Sequence, residues 1–267
     1  MNLDSFQYSG RRALVIGGAT GMGAATTRLV SELGGSVVVM DVAEIDGPAE
    51  QKIRVDLREK ASLDAAVEQA SGSFDAVFCC AGVADGVEGL IRINYLGQRY
   101  LVDRLLERDS ISRGGAIGCI SSVAGLGWQM ELETLSEFIQ LSDWDAAVAW
   151  TEAHEGTDQY LFSKKAVNAW VAQSAFSLIQ KGIRINAIEP GPTDTPLARA
   201  NAEVWLGFSA EYNKAAGLDA LRPEDMAAPL AFLCSPAARG INGISFLVDN
   251  GQINSGITGS FGSPLGG

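Results

Sequence analysis

The stretch ALVIGGATGMG, residues 13–23, joins a short apolar run to a glycine-rich turn. Four apolar residues in a row are typical of a buried strand in a parallel sheet. The glycines Gly17, Gly21 and Gly23 then follow in the spacing G-x-x-x-G-x-G, and a helical pattern opens at Gly21. A turn of this kind lets a pyrophosphate approach the backbone, and the free N–H groups of the helix can bind its charge. The stretch therefore predicts a strand, a dinucleotide-binding turn and a helix, in this order.

Six further apolar runs follow along the chain, with helical patterns between them. The runs begin at residues 36, 53, 75, 115, 183 and 244, and the clearest helical patterns cover 21–33, 62–70, 88–106, 158–180 and 223–234. This alternation predicts an α/β protein with a doubly wound Rossmann fold: a seven-stranded parallel sheet with helices on both faces. Ligands of such a sheet bind outside the carboxyl ends of its strands. The 267 residues, 47% of them hydrophobic, suit a single domain spanning residues 1–267.

The composition limits the possible partners. The chain has 20 lysines and arginines against 32 aspartates and glutamates, a net charge of −12, without a basic cluster. This argues against binding to nucleic acid or to an anionic membrane. No signal-peptide pattern and no apolar run of about 18 residues is present, so we expect a soluble cytoplasmic protein. The four cysteines form no C-x-x-C pair, which favours reduced core thiols over a metal site or disulfides.

The end of the second apolar run predicts which dinucleotide binds. Asp41 stands eighteen residues after Gly23, where a carboxylate can accept hydrogen bonds from the two hydroxyls of an adenosine ribose. The alternative is a simple surface turn residue. As a ribose ligand, Asp41 would repel a 2′-phosphate, and no arginine or lysine stands at Gly18 or Val42 to offset this repulsion. We therefore expect NAD(H) in preference to NADP(H).

Other strand ends and turns provide further candidates for the cofactor site. Asp56 follows the third run and could accept the adenine amino group, although an aspartate at a strand end is often only a turn cap. The fourth run ends beside the expected position of the adenosine ribose. The remaining candidates are Thr20, Met22, Leu57, Ala81, Gly82, Pro190, Gly191, Thr193 and Thr195, in addition to Tyr160 and Lys164.

Polar side chains also predict a chemical end of the site. In QYLFSKK, residues 159–165, Tyr160 stands four residues before Lys164 without an intervening glycine or proline. Positions i and i+4 are neighbours on a helix, so the phenol and the ammonium can face the same space. The fifth run ends with Ser121 and Ser122, where a hydroxyl can reach a substrate, although a serine pair also commonly forms a turn. Asn94 lies inside an otherwise helical stretch.

With the glycine-rich turn, the strand-end aspartate, Ser122, Tyr160 and Lys164 in this order, the chain resembles the short-chain dehydrogenase/reductase family over nearly its whole length. The resemblance implies an NAD-dependent oxidoreductase that interconverts a secondary alcohol and a ketone. It implies that Tyr160 is the general acid/base, and that Lys164 lowers its pKa and holds the nicotinamide ribose. It further implies that Ser122 hydrogen-bonds the substrate oxygen and that Asn94 holds a water in a proton relay.

Residues 128–156 stand where a short loop usually joins a strand to a helix. Capping patterns at Thr134 and Ser142, with apolar residues at near-helical spacing, predict a helical insertion. It can cover its own core, form a wall for the substrate, or contact another subunit. A similar insertion occurs in the bacterial 3-alpha-hydroxysteroid dehydrogenase/carbonyl reductase branch of the family. That resemblance implies a hydroxysteroid or another bulky hydrophobic alcohol or ketone as substrate, and a homodimer in place of the common homotetramer.

Residues 195–225 are expected to form a lid over the substrate. Its apolar side chains can line the pocket or pack beneath the lid; they are Leu197, Val204, Trp205, Leu206 and Phe208. The single histidine, His154, lies in the insertion, and we expect it to be a solvated loop residue. Another function of the same fold is a catalytically silent NAD(H)-sensing protein. A lyase-type relative, such as a halohydrin dehalogenase, would lack the glycine-rich turn and pair the tyrosine with an arginine. This sequence has the glycine-rich turn and a lysine, Lys164, in place of the arginine, which argues against that class.

Overall fold

The computed structural model describes residues 3–262, in which seven strands form one sheet. The strands are β1 Arg12–Ile16, β2 Ser36–Asp41, β3 Gln51–Arg54, β4 Phe74–Cys79, β5 Ile111–Ile120, β6 Arg184–Pro190 and β7 Ser245–Val248. All adjacent strands pair in parallel, in the order β3-β2-β1-β4-β5-β6-β7. The predicted fold is confirmed. The strand order reverses between β1 and β4, which places a crevice at the carboxyl ends of these strands.

Helices connect the strands and cover both faces of the sheet. They are α1 Gly21–Glu32, α2 Lys60–Gln69, α3 Gly97–Glu107, α4 Leu132–Ile139, α5 Trp144–Ala153, α6 Tyr160–Gln180, α7 Pro196–Ala200, α8 Ala202–Trp205, α9 Ala210–Ala216, α10 Pro223–Cys234 and α11 Gln252–Ile257. A π-helical segment, Arg92–Leu96, leads into α3. Within residues 3–262 no helix combines the length and the apolar character that crossing a membrane requires. The predicted domain limits at residues 1 and 267 lie outside the described residues.

The core has two layers because neighbouring side chains of a strand point to opposite faces of the sheet. Leu14 and Ile16 of β1 pack in one layer with side chains of α2, α3 and α6. Ala13 and Val15 of the same strand pack in the other layer with side chains of α1 and α10. Burial of each such valine or leucine contributes about 1.5–3 kcal/mol. The continuous apolar runs of the sequence thus reflect strands that are covered on both sides.

The glycine-rich turn joins β1 to α1 by close contacts that only glycine permits. Gly17 has a φ of +84°, and a Cβ atom there would lie 2.4 Å from the backbone nitrogen of Ala81. A Cβ atom on Gly23 would lie 2.0 Å from the carbonyl oxygen of Gly17. Gly23 therefore allows α1 to pack directly on the turn, and Gly17 allows the turn to pass against β4's carboxyl end.

Gly23→Ala is expected to lower the free energy of unfolding by about 2 kcal/mol. Alanine favours a helix over glycine by about 1 kcal/mol, but the added methyl group clashes with a backbone oxygen, and overpacking of this kind costs more. Urea unfolding of both proteins measures the difference. Gly47→Ala is the matched control, because a Cβ atom on Gly47 has no other atom within 4 Å. A Gly23→Ala protein as stable as the wild type would contradict this prediction.

The stretch 128–156 folds into α4 and α5, preceded by a 3-10 helix, Trp128–Glu131. Leu135, Phe138 and Ile139 of α4 are buried. The Phe138 ring contacts Trp150 of α5 at 5.0 Å and Phe162 of α6 at 5.6 Å between ring centroids. The apolar faces of both helices therefore cover a core shared with α6.

The helix starts in this stretch differ from the capping patterns of the sequence. α4 begins at Leu132, two residues before Thr134. The N-cap of α5 is Asp143, not Ser142, and its Oδ1 accepts a hydrogen bond of 2.9 Å from the Ala146 N–H. A carboxylate at the N-cap also interacts favourably with the helix dipole, which favours it over the neighbouring hydroxyl. His154 is exposed after α5 and stacks on Trp150 at 3.9 Å.

Candidate active site

A cleft of about 1110 Å³ lies at the carboxyl ends of the strands. We call it the central cleft; it is bounded by the glycine-rich turn, the ends of β2 to β6, the start of α6, and residues 190–208. The predicted site residues that line it are Gly17, Thr20, Gly21, Met22, Asp41, Asp56, Leu57, Ala81, Gly82, Ser122, Tyr160, Lys164, Pro190, Gly191, Thr193 and Thr195. Gly23 and Asn94 lie behind its wall. The tertiary structure thus brings together residues that are spread over about 180 positions of the sequence.

The turn side of the central cleft has a backbone cradle for an anion. The N-terminus of α1 opens at Gly21, and a Cβ atom on Gly21 would lie 3.6 Å from the side chain of Thr195. Thr195 caps α7 by accepting a hydrogen bond of 3.0 Å from the Ala198 N–H, which leaves its hydroxyl proton free to donate. Helix N–H groups and a hydroxyl thus face the same space, which fits the pyrophosphate of a dinucleotide.

Asp41 is held at the wall of the central cleft by two backbone groups. Its Oδ2 accepts a hydrogen bond of 2.9 Å from the Ala19 N–H, and its Oδ1 accepts one of 2.9 Å from the Ala43 N–H. Each carboxylate oxygen has a second lone pair. The carboxylate is therefore oriented by the fold and can still accept hydrogen bonds from the hydroxyls of a ribose.

Asp56 lies in the cleft as well, but its carboxylate already has a partner. Arg58 donates three hydrogen bonds to it: N–H and Nε to Oδ1, both 3.0 Å, and Nη2 to Oδ2, 2.7 Å. These bonds lower the pKa of the Asp56 carboxyl. That Asp56 binds adenine stays a prediction. Arg58 also lines the cleft and was missed in the sequence, where its only signal is a charge two residues after an acid.

Tyr160 and Lys164 lie one helical turn apart at the start of α6. The Tyr160 N–H donates a hydrogen bond of 2.7 Å to Asp85 Oδ1, which satisfies one of the open donors of the helix start. The Lys164 side chain is buried and donates a hydrogen bond of 3.0 Å from Nζ to the Ile120 carbonyl oxygen. Lys164 Nζ lies 5.3 Å from the centroid of the Tyr160 ring. The pair therefore faces one space, as the spacing in the sequence predicts.

Burial changes the pKa values of both side chains of this pair. Burial raises the pKa of Tyr160 to about 12, and the hydrogen bond with Ser122 offsets only part of this. Burial likewise lowers the pKa of Lys164 to about 8. The low-polarity surroundings disfavour the charged form of each group. That Lys164 lowers the pKa of Tyr160 stays a prediction.

The shifted pKa of Lys164 predicts a pH-dependent stability. Between about pH 8, its pKa in the folded chain, and the ordinary value of 10.5, the unfolded chain binds more protons, so stability rises with pH. The free energy of unfolding of the wild type, relative to Lys164→Met, should rise by about 2 kcal/mol from pH 7 to pH 10. Urea unfolding of both proteins at both pH values tests this.

A matched control for that experiment is Lys181→Met, which removes an exposed lysine just after α6. The comparison with Lys164→Met cancels the contributions of other titrating groups to the free energy of unfolding. A difference between wild type and Lys164→Met that stays constant from pH 7 to pH 10 would contradict the depressed pKa.

Asn94 lies in the π-helical segment, an irregularity that is frequent at functional sites. Its Oδ1 accepts a hydrogen bond of 2.8 Å from the Val83 N–H, and its Nδ2 donates to the Val83 oxygen and to Ser163 Oγ. A Cβ atom on Gly82 would lie 3.8 Å from Lys164 Nζ and 3.9 Å from Asn94 Oδ1. Asn94 thus holds the backbone at Gly82 and Val83, which lies between the Asn94 and Lys164 side chains. The role of Asn94 in a water relay stays a prediction.

Large apolar side chains line the substrate end of the central cleft and stay partly exposed. They are Leu126, Met130, Leu161, Trp205, Phe208 and Ile257. The Trp205 ring contacts the Tyr160 ring at 4.8 Å between centroids. Of the apolar residues predicted for the lid, Leu197, Trp205 and Phe208 line the cleft and Leu206 does not; the side chain of Val204 lies outside the described part of the structure.

The insertion reaches the cleft through its first turn. Met130 is 87% exposed and lines the cleft, which supports the interpretation that this stretch forms part of the substrate wall. Next to it, Glu131 pairs with Lys165, a largely buried side chain that follows Lys164 and also lines the cleft. This ion pair fastens the insertion to α6. Among residues 3–262 no group of histidine, cysteine, aspartate and glutamate side chains is arranged to hold a metal ion.

Comparisons with known proteins cover nearly the whole chain. A family model described as enoyl-(acyl carrier protein) reductase matches residues 17–252. The coniferyl-alcohol dehydrogenase of Pseudomonas sp. (strain HR199 / DSM 7063) is 28% identical over 253 residues, which cover 92% of this chain and 97% of that protein. The 3-alpha-hydroxysteroid dehydrogenase/carbonyl reductase of Comamonas testosteroni is 30% identical over 247 residues, 89% of this chain and 95% of that one.

A solved structure shows the same fold. The 3-alpha-hydroxysteroid dehydrogenase from Pseudomonas sp. B-0831, crystallised with NADH, superposes with a TM-score of 0.74 at 24% identity. The superposition covers 93% of this chain and 98% of that structure.

Proposed function

The chain belongs to the short-chain dehydrogenase/reductase family of oxidoreductases, and we propose that it uses NAD(H) to interconvert a secondary alcohol and a ketone. The observation that carries the proposal is the position of Ser122, Tyr160 and Lys164 in the same cleft as the glycine-rich turn. A binding protein that only senses the cofactor would not need this acid/base group beside an apolar pocket. We therefore propose that the protein is an enzyme and not a silent sensor.

The residues of the cleft fit a nicotinamide dinucleotide. The turn at Gly17 and Gly21, with Thr195, would hold the pyrophosphate, and Asp41 would hold the adenosine ribose next to Ala81 and Gly82. Lys164 would bind the nicotinamide ribose, and Thr193 the carboxamide. When bound, the nicotinamide accepts or supplies the hydride.

The chain's own contribution to the chemistry is the movement of a proton at the substrate oxygen. Ser122 would hydrogen-bond this oxygen and Tyr160 would exchange the proton with it. With a pKa of about 12, Tyr160 is protonated at neutral pH and is ready to donate its proton in the direction of ketone reduction. In the opposite direction the ammonium of Lys164 must stabilise the phenolate, and with a pKa of about 8 it is mostly charged at pH 7.

The substrate we propose is a bulky hydrophobic alcohol or ketone, with a hydroxysteroid as one candidate. Support comes from the partly exposed Met130, Leu161 and Phe208 at the substrate end of the cleft, which a large apolar ligand would cover. The names of the two relatives point to rings as well, an aryl alcohol for one and hydroxysteroids for the other. Residues 195–225, with Trp205 against Tyr160, would then act as the lid.

The proposal also includes a cytoplasmic homodimer or homotetramer, as the sequence predicts. Support comes from exposed apolar side chains away from the cleft: Phe176 and Ile179 on α6, 73% and 42% exposed, and Phe246 on the edge strand β7, 48% exposed. Such side chains are typical of a surface that another subunit covers. Neither nucleic acid nor a membrane is part of this proposal.

A substrate panel tests the proposed function. The purified protein is mixed with NAD and secondary alcohols that range from small alkanols to 3-alpha-hydroxysteroids, and NADH formation is followed by absorbance. Coniferyl alcohol is added to the panel as a primary alcohol that carries an aromatic ring. Turnover that increases with the size of the apolar ring system supports the proposal. Tight NADH binding without turnover of any alcohol or matching ketone would favour the silent cofactor sensor instead.

A further inference from the structure

The adenine end of the central cleft contains an arginine that none of the sequence patterns assigns. Asp41 faces the expected adenosine ribose, and β3 is the next strand of the sheet, with the Val55 N–H donating a hydrogen bond of 2.9 Å to the Asp41 carbonyl oxygen. A base attached to this ribose must therefore lie near the residues that follow β3. These include Arg58, which lines the cleft together with the half-exposed Val42.

The guanidinium of Arg58 is fixed in one orientation. Nε and Nη2 form a two-point contact with the Asp56 carboxylate, at 3.0 and 2.7 Å, and the Arg58 N–H adds a third bond to the same group. The stem of the side chain lies along Gly89, where a Cβ atom would be only 3.3 Å from Arg58 Cγ and Cδ. A planar group held by such a fork loses little entropy when a ligand packs on it.

We propose that the guanidinium of Arg58 forms one wall of the adenine pocket and stacks on the base, and that Asp56 orients it. This inference rests on the proposed use of NAD(H). Planar arginine side chains stack well on flat aromatic rings, and adenine offers such a face. Asp56 is then a positioning residue that acts through Arg58. Because Asp56 balances the charge of Arg58, the arginine does not create a site for a 2′-phosphate.

A simpler explanation is an exposed ion pair that only closes the turn after β3. Exposed pairs of this kind contribute little to stability, and their loss would leave the affinity for the cofactor unchanged. The two explanations differ in what they predict for ligands with and without an adenine base. A binding experiment can therefore separate them without any knowledge of the substrate.

The experiment measures dissociation constants of NADH, AMP and reduced nicotinamide mononucleotide by calorimetric titration. Arg58→Ala should weaken the binding of NADH and of AMP by about tenfold, because one stacking contact is lost. The mononucleotide has no adenine, so its affinity should stay that of the wild type. Arg58→Lys should weaken the binding of NADH and AMP nearly as much as Arg58→Ala does, because an ammonium lacks the flat face of a guanidinium. The matched control is Arg92→Ala, since Arg92 also lies beside Gly89 but pairs with Glu152 outside the cleft.

A double-mutant cycle tests the positioning role of Asp56. Asp56→Asn should weaken NADH binding in the wild type but have no further effect in Arg58→Ala. Three results would each overturn the inference and leave the proposed function intact. Arg58→Ala could bind NADH as tightly as the wild type, Arg58→Ala could lose as much affinity for the mononucleotide as for NADH, or Arg58→Lys could bind NADH as tightly as the wild type. Failure of the wild type to bind NADH would overturn the proposed function and this inference together.

Discussion

Replacing Tyr160 with phenylalanine is expected to lower kcat by about 10³-fold, while the dissociation constant of NADH changes by less than about twofold. In the proposed function the phenol exchanges a proton with the substrate oxygen, whereas Ser122 only hydrogen-bonds this oxygen. The ring itself remains, so its contact with Trp205 and the shape of the pocket are kept. Steady-state kinetics with an active substrate of the panel, together with NADH titration, measure both quantities.

Tyr100→Phe is the matched control for this experiment. Its hydroxyl donates a hydrogen bond of 2.7 Å to Asp64 on α2, and the residue does not line the central cleft. The control should keep the wild-type kcat and NADH affinity. If Tyr160→Phe retained wild-type turnover, another group would have to move the proton, and the role assigned to Tyr160 would be wrong.

NADPH is expected to bind more than about a hundredfold more weakly than NADH, and the carboxylate of Asp41 should be the cause. A unit charge of the 2′-phosphate at about 5 Å from the carboxylate costs roughly 3 kcal/mol at an effective dielectric constant near 20. The backbone bonds from Ala19 and Ala43 hold the carboxylate in place, so it cannot turn away from the phosphate without losing both. Titration with each cofactor gives the ratio of dissociation constants.

Asp41→Asn should reduce this ratio to about tenfold or less, mainly because NADPH binds better once the negative charge is removed. NADH should bind somewhat more weakly, since the amide has one acceptor oxygen for two backbone donors and the ribose. Asp46→Asn is the control; it removes a charge from an exposed residue that does not line the cleft. Equal affinities of the wild type for NADH and NADPH would contradict the role of Asp41.

Some features of the molecule follow from local sequence because their physical cause is local. The apolar runs mark strands that are covered on both faces, and the spacing of Gly17, Gly21 and Gly23 marks a turn that no larger residue can form. The i, i+4 spacing of Tyr160 and Lys164 predicts neighbours on α6, and the structure has them there. The exact start of a helix is determined less completely by the local sequence. Asp143 and not Ser142 caps α5, although both residue types are good N-caps.

Other features depend on contacts between distant parts of the chain. The sequence could not show that burial would raise the pKa of Tyr160 and lower that of Lys164. Their surroundings include distant parts of the chain, such as Ile120 beside Lys164 and Trp205 beside Tyr160. The sequence also did not reveal that Arg58 would engage Asp56 in the cleft, or that Lys165 would fasten the insertion through Glu131.

By itself, the sequence determined the alternation of strands and helices, the anion-binding turn and the types of residue available for proton transfer, because hydrophobic periodicity and glycine spacing act over a few residues. Only the tertiary structure decided which of these residues share one cleft, how strongly each is desolvated and which partner each charge finds. Those properties depend on distances between segments that are remote along the chain, and in a parallel sheet the strand order sets these distances.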